Sequence, residues 1–318
     1  MEIPQGLRRA IENQIRDIEH VRMKDDAQAI SSRYRTQSGK GKRLLTKETE
    51  AAAYAAARMP ATFGAVSDAL KYSLPYLENC PQTLLDAGAG TGTAAWAADA
   101  ELKLKKIICL EREDAMIKIG KNMMKCSSEL LCNAEWIKND LTVDEIPEQA
   151  DLVIASYVLN EMTSEERMET VKKLWDAAKM MFLIIEPGTP VGFSNLAEIR
   201  QVMLKWGAHI AAPCPHESDC PKEKNDWCGF ACRVSRSRLH RQLKGGEVPY
   251  EDEKFIYMAF TREKCHSAEA RVLRHPQIHK GYVGLEICTK DGIKNIKFSK
   301  KDGERYKKAR KVKAGDEI

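Results

Sequence analysis

The spacing of apolar and polar positions changes twice along the chain. Over residues 1–30, Leu7, Ile11, Ile15 and Ile18 recur at helical spacing among charges, which predicts an amphipathic helix. The pattern breaks in SSRYRTQSGKGKRLLTK, residues 31–47, where Arg33, Arg35, Lys40, Lys42, Arg43 and Lys47 stand among glycines with no acid, as in a basic loop. Helical spacing is read again from Glu48 to about Arg58 and from Ala61 to Leu77, closed by Pro81. From Leu84 the chain turns to short apolar runs, TLLDAG, KIICLE, AEWIKND, ADLVIASYVL and MMFLIIEPG, separated by helical stretches. That alternation predicts a doubly wound α/β domain around a parallel sheet. EKFIYMAF is expected as a sixth strand, and beyond about residue 268 GYVGLEICT and IKNIKFS flank the turn Lys290-Asp291-Gly292. The expected organisation is a helical region with a basic loop over 1–80, an α/β domain with an inserted cysteine-rich loop over 81–265, and a basic β-rich segment over 266–318.

Composition narrows this picture. With 318 residues, 43% hydrophobic and 31% charged, the chain can bury a large core. No run of about eighteen apolar residues predicts a transmembrane helix, so no membrane partner is expected. The first residues, MEIPQGLRRAIENQIRD, contain acids and lack an apolar stretch, unlike a secretory or transit segment, and a cytoplasmic protein is expected. In such a reducing compartment the ten cysteines do not form a disulfide framework. Cys80, Cys109, Cys126, Cys132 and Cys265 stand singly and read as small apolar fillers.

The first candidate site is LLDAGAGTGTAAWAA: an apolar strand, Asp86, then Gly88, Gly90 and Gly92, then a helix former. Glycines at a strand-to-helix turn let a ligand approach the backbone where the helix offers unpaired amides. The spacing D-x-G-x-G-x-G departs from the dinucleotide fingerprint G-x-G-x-x-G, which disfavours NAD. It resembles motif I of class I S-adenosylmethionine-dependent methyltransferases. Glu111, ending the next run, can accept hydrogen bonds from two ribose hydroxyls. Asp140, ending the third, reads either as an adenine-side residue or as a strand-end cap. On the acceptor side the Asn/Asp-Pro-Pro-aromatic motif of base-nitrogen methyltransferases is absent; ASYVLNEM stands there, with Asn160 and Glu161 as candidates to orient a substrate or to cap the following helix.

The second is PCPHESDCPKEKNDWCGFAC, residues 213–232, with four cysteines in twenty positions. The gaps between Cys214, Cys220, Cys228 and Cys232 do not fit paired C-x2-C zinc knuckles, and irregular loops with Cys-Pro pairs suit an iron–sulfur cluster, with zinc as the alternative. The lack of C-x3-C-x2-C disfavours a radical enzyme. PCPHESDCP, DWCGF and YEDEKFIYMAF, together with AYAAARMPATFGAV and the glycine loop, resemble the mitochondrial small-ribosomal-subunit assembly factors of the methyltransferase-like family and their prokaryotic relatives.

The resemblance implies a Rossmann-like class I methyltransferase fold with an N-terminal helical region and a small C-terminal β-rich segment bound through a metal cluster. It implies a 4Fe–4S cluster on Cys214, Cys220, Cys228 and Cys288, the last in preference to Cys232, with His216 as an outside candidate. A ligand on the C-terminal strand would fasten the last segment, and metal binding would then count as folding free energy. It also implies small-subunit ribosomal RNA as partner, S-adenosylmethionine as cofactor and a monomer. Arg33, Arg35, Lys40, Lys42, Arg43, Arg233, Arg236 and Arg238, with the lysine-rich stretch 294–313, are the candidate phosphate contacts. Two functions are carried forward: an RNA methyltransferase, and a noncatalytic RNA-binding assembly factor with a retained cofactor pocket.

Overall fold

A parallel strand covered on both faces must be apolar through its length, and of the five runs from residue 83 all but the edge run EWIK come close to that demand. In the computed structural model, which describes residues 1–16, 18, 29, 47–222, 226–237, 240, 241 and 248–318, each becomes a strand. They are β1 (Thr83–Ala87), β2 (Lys106–Glu111), β3 (Glu135–Lys138), β4 (Ala150–Ser156) and β5 (Ala178–Pro187). The sheet order is β3-β2-β1-β4-β5, with parallel registers such as Leu85↔Ile108, Leu85↔Val153 and Ile154↔Leu183. The order reverses at β1, so a crevice opens beyond the carboxyl ends of β1 and β4.

The chain divides into two units. The first comprises residues 1–70, 80–185 and 232–253 and contains this sheet. Helix α1 (Gln5–Ile15) buries Leu7, Ile11 and Ile15, the predicted apolar stripe. Helix α2 (Glu48–Ser73) is one continuous helix through Pro60, where two helices were expected. A proline inside a helix costs about 3 kcal/mol, but α2 is buried on nearly every side through Ala51, Ala55, Met59, Phe63 and Val66, and that packing outweighs the break. Then come α3 (Thr93–Glu101), α4 (Asp114–Met124), the short α5 (Glu129–Cys132) and α6 (Ser164–Ala177), which opens with a capping box between Thr163 and Glu166.

The second unit comprises residues 71–79, 186–231 and 254–318. It holds α7 (Pro190–Lys205), whose first turn is capped by Thr189 accepting from the Gly192 N–H, and β6 (His209–Ala212). The cysteine-rich loop follows, then β7 (Phe230–Ser235) and β8 (Tyr250–Thr261), within which the chain passes between the units. Strand β6 pairs antiparallel with β8. A second antiparallel sheet is built from β9 (Ala270–Val272), β10 (Gln277–His279), β11 (Tyr282–Thr289) and β12 (Gly292–Ser299), followed by α8 (Glu304–Ala309). Strands β11 and β12 close the expected hairpin, with Thr289 opposite Gly292 across Lys290-Asp291. Val272, Val283, Leu285, Ile287, Ala309 and Val312 pack on one face of that sheet.

Candidate functional site

The crevice of the first unit is a cleft that opens to solvent. Gly88 and Gly90 line it, both with positive φ (+69° and +57°). A side chain on Gly88 would strike Val158, whereas one on Gly90 would meet nothing within 4 Å and project into open space. The turn therefore presents bare backbone to whatever occupies the cleft. Glu111 reaches back across it: Oε2 accepts from the Gly90 N–H at 2.8 Å and Oε1 from the Glu113 N–H at 2.8 Å. Its carboxyl is raised from its ordinary range by burial, partly offset by those backbone donors.

For Asp140 the structure shows the cap and a place in the cleft wall. It lines the cleft, and its Oδ1 caps the end of β3 by accepting from the Thr142 N–H (3.1 Å) and hydroxyl (2.7 Å). Glu161 lines the cleft as well, while its neighbour Asn160 is not a lining residue. Gly92, at the N-cap of α3, sits against Met124 and Trp136. Asp86 lies wholly buried behind the loop, where Oδ2 accepts from the Ala95 N–H at 3.1 Å and ties β1 to the start of α3.

Burial, then the nearby Glu111, pushes Asp86 up from 3.8 to about 7. Its pKa is higher folded than unfolded, so the associated stability is present below about pH 4 and is lost as pH rises through about 7. The rise corresponds to roughly 4 kcal/mol at most. Asp86→Asn keeps an acceptor for Ala95 and removes that cost. Its melting temperature relative to wild type should climb by several degrees between about pH 5 and about pH 8.5. A difference independent of pH would show that ionisation of Asp86 is not what costs stability.

Sequence reading missed the wall of the cleft beyond β4. Tyr157, directly after β4, has φ +59°, a strained conformation for a bulky residue. Its hydroxyl donates to Glu253 Oε1 at 2.9 Å, and Arg58 donates to the same carboxylate at 3.1 Å. Tyr54, one turn before Arg58 on α2, also lines the cleft, and burial pushes its phenol up to about 12. Tyr157 could have been suspected from its place after a strand in the crevice. Arg58 and Glu253 are 195 residues apart and leave no local signal. With five acids, Glu111, Glu113, Asp140, Glu161 and Glu166, against the one guanidinium of Arg112 in its lining, the cleft favours a cationic ligand over a polyphosphate.

In the second unit Cys214, Cys220, Cys228 and Cys288 share one neighbourhood. The Cys228 thiol is pushed well up, first by burial and then by Cys214, Cys220 and Cys288. Cys288 is pushed up to about 12 by burial, then by Cys214 and Cys220. Cys214 is raised by burial and partly drawn back by Arg200. His216 stands beside them, Nε2 at 3.5 Å from the Cys288 sulfur. Cys232 belongs to the first unit, where it is buried against Gly64 of α2. Among the described residues no three His, Cys, Asp or Glu side chains are arranged to hold a metal ion.

The surroundings of the thiols still bear on what the loop can carry. Arg200 and Arg271 are buried, at 4% and 2% exposure. Arg200 Nη2 donates to the carbonyls of His216 (3.1 Å) and Ser218 (2.7 Å), and Arg271 Nε to that of Pro213 (3.0 Å), so the two clamp the chain on either side of Cys214. The Arg271 guanidinium donates to the Tyr76 hydroxyl, which in turn donates to the Glu317 carboxylate. Arg200 has no carboxylate within 4 Å among the described residues, and its Nε is buried without a hydrogen-bond partner. Buried charge needs a counter-charge, and an anionic tetrathiolate centre would supply it, so the donor set and its cations fit such a group. Lys222, by contrast, is satisfied by Asp226 and by Glu286 at 2.9 Å.

Of the candidate RNA contacts, Arg33, Arg35, Lys40, Lys42, Arg43 and Arg238 lie outside the described residues. Arg233 is engaged in the fold: Nε and Nη2 donate to Asp252 at 2.7 and 2.8 Å, and the guanidinium lies 3.9 Å from the Tyr250 ring centroid. Arg236 stands 3.6 Å from Glu251.

The strand order, the glycine turn after β1 and the acid ending β2 define a class I methyltransferase-like α/β fold. The chain belongs to the family described as mitochondrial small ribosomal subunit Rsm22, whose profile matches residues 48–318. It is 30% identical over 264 residues to the human mitochondrial ribosome assembly protein METTL17, covering 75% of this chain and 55% of that one. It is 24% identical over 292 residues to the mitochondrial Rsm22-cox11 tandem protein 2 of Schizosaccharomyces pombe, covering 74% and 38%. The chain thus spans about half the length, or less, of these relatives. Among solved structures, the plantazolicin methyltransferase BpumL with S-adenosylhomocysteine gives a TM-score of 0.44 at 12% identity, over 80% of this chain and 99% of that one, too slight a likeness to weigh.

The expected cytoplasmic location is overturned, because these relatives are mitochondrial proteins. The expectation rested on the make-up of MEIPQGLRRAIENQIRD, which does not decide the compartment. Among the described residues no helix is long and apolar enough to cross a membrane.

Proposed function

We propose that this protein binds S-adenosylmethionine in the cleft beyond β1 and acts on small-subunit ribosomal RNA during assembly, with a 4Fe–4S cluster on Cys214, Cys220, Cys228 and Cys288. The observation that carries the cofactor reading is the acid-lined cleft at the switch point, with Glu111 at the end of β2 and bare backbone at Gly88 and Gly90. A sulfonium nucleoside is cationic and carries two ribose hydroxyls, which suits Glu111 and the surrounding carboxylates; NAD carries a pyrophosphate, which does not. Bound there, S-adenosylmethionine supplies an electrophilic methyl group. Glu111 would hold the ribose, Asp140 and Leu141 the adenine side, and the Gly88–Gly90 turn the amino-acid portion.

The role in assembly follows from family membership and from the relative that is itself a ribosome assembly protein. The cluster reading is supported by four thiols in one neighbourhood beside a buried guanidinium that lacks a carboxylate. A second reading, a noncatalytic factor that uses the cofactor as a structural ligand, is favoured by the wall of the cleft beyond β4. There Tyr157 is held by Glu253 and Arg58, and no Pro-Pro-aromatic motif is present.

The experiment is methyl transfer from labelled S-adenosylmethionine to immature small subunits, with wild type and Gly90→Arg. Label in ribosomal RNA with wild type alone is the result expected of an enzyme. Cofactor binding and Gly90-dependent assembly without label would decide for the second reading, and failure of wild type to bind the cofactor would sink both.

A further inference from the structure

Two observations converge on the C-terminal sheet. The first is where the charge lies. Residues 277–318 contain twelve Lys and Arg against six Asp and Glu, while the whole chain is only +5, so the rest of the protein is slightly negative. The basic segments singled out first, around residues 33–47 and 233–241, are therefore offset elsewhere in the chain, whereas this one is not. Lys280, Lys297, Lys300 and Lys301 are exposed and have no acidic partner within 4 Å among the described residues.

The second is a row of side chains on the face opposite the apolar core. Val283, Leu285 and Ile287 point into that core, so their neighbours Tyr282, Gly284 and Glu286 face the other way. His279 on β10 is directly opposite Tyr282 on β11, and the two rings stack with centroids 4.5 Å apart and planes 17° from parallel. The Lys297 ammonium of β12 lies 5.5 Å from the Tyr282 ring centroid. Gly284, paired with both Gln277 and Lys297, leaves the floor beside the rings without a side chain. Strand β10 pairs with β11 alone among the described strands, and all three of its residues are exposed, so His279 stands at a sheet edge.

An exposed ring stacked on a half-buried one in a cationic setting is the equipment of single-strand binding. Unpaired bases stack on aromatic faces at about 1–3 kcal/mol each, while nearby lysines hold the phosphates. We infer that His279, Tyr282 and Lys297 form a base-stacking platform for single-stranded RNA, with an unpaired base extending the row from the outer face of His279 and Lys280, Lys300 and Lys301 tracking the backbone. The base selected is one that is unpaired and splayed, since a base inside a duplex offers no face to the ring. This rests on the reading of the protein as a ribosomal RNA factor and names the surface and the RNA conformation it takes.

The test is fluorescence anisotropy of the full chain with labelled oligo(A), oligo(U) and an RNA duplex of equal length across a salt series. Tyr282→Ala and His279→Ala should each weaken oligo(A) by roughly 5- to 100-fold, oligo(U) less, and the duplex hardly at all, without changing the salt slope. Lys297→Ala should lower that slope by about 0.7. Tyr282→Phe keeps the ring and should bind as wild type, which separates lost stacking from a damaged sheet. If wild type binds oligo(A) and the alanine variants bind it equally well, the platform is wrong and the RNA reading stands. Equal losses on duplex and oligo(A) would reduce the surface to a phosphate contact and also overturn it. Wild type that binds none of the three would overturn the platform and the RNA reading together.

Discussion

Cys288→Ser is expected to strip the metal from the protein and loosen the whole second unit, whereas Cys232→Ser leaves the metal in place. Purified without oxygen, the wild type should be brown with about four irons and four sulfides. Cys288→Ser should be pale and iron-poor. Metal binding to a site absent from the unfolded chain is folding free energy, on the order of 10 kcal/mol for a tetrathiolate structural site. The β9–β12 sheet should accordingly lose protection in hydrogen exchange when Cys288 is replaced. Cys232 packs against Gly64 in the first unit, so Cys232→Ser buries a hydroxyl and costs about 1–3 kcal/mol without touching iron. A brown Cys288→Ser protein, or a wild type with neither iron nor zinc, would sink the ligand assignment; one zinc per chain would keep the four ligands and remove the cluster.

How much of this was legible in the sequence depends on how local each feature is. The parallel sheet showed itself because strands buried on both faces carry unbroken apolar runs, as in the Ile-Ile-Cys-Leu centre of KIICLE, which became β2 from Lys106 to Glu111. The glycine turn and Glu111 were legible because a strand, a turn and an acid about twenty residues on form one continuous signal. Pro60 misled because local propensity breaks a helix there, while the alanines and Met59 around it are buried and hold α2 together. Strands β6 and β7 escaped notice, since β6 has only four residues and β7 follows directly on the cysteine loop. The Arg58–Glu253–Tyr157 lock and the Arg200 clamp on the cysteine loop were out of reach. Both join residues distant in sequence through hydrogen bonds, and an arginine in a helix pattern reads as a solvated charge until its burial is known.

The cleft offers the sharpest separation of binding from folding, because Gly90 and Glu111 act on the ligand differently. A Cβ on Gly90 finds no protein atom within 4 Å, so Gly90→Leu would start its side chain in the open space of the cleft, at a backbone cost of about 1–2 kcal/mol for its left-handed conformation. It should melt only a few degrees below wild type and show no S-adenosylmethionine binding by titration calorimetry. Glu111→Gln keeps one oxygen, which can accept from either the Gly90 or the Glu113 amide but not both, and it loses the charge that draws a cationic nucleoside and one of the two acceptors for the ribose. Losing a charged hydrogen bond costs about 1.5–3 kcal/mol, so affinity should fall by roughly 10- to 150-fold, with the transition from bound to free still measurable. The two variants should also differ toward S-adenosylhomocysteine, which lacks the sulfonium charge. Glu111→Gln should narrow any preference for the charged donor over the neutral product, and Gly90→Leu should exclude both. Unchanged affinity in Glu111→Gln would mean that the carboxylate serves only the turn, bonded as it is to Gly90 and Glu113, and the nucleoside would then have to lie elsewhere in the cleft.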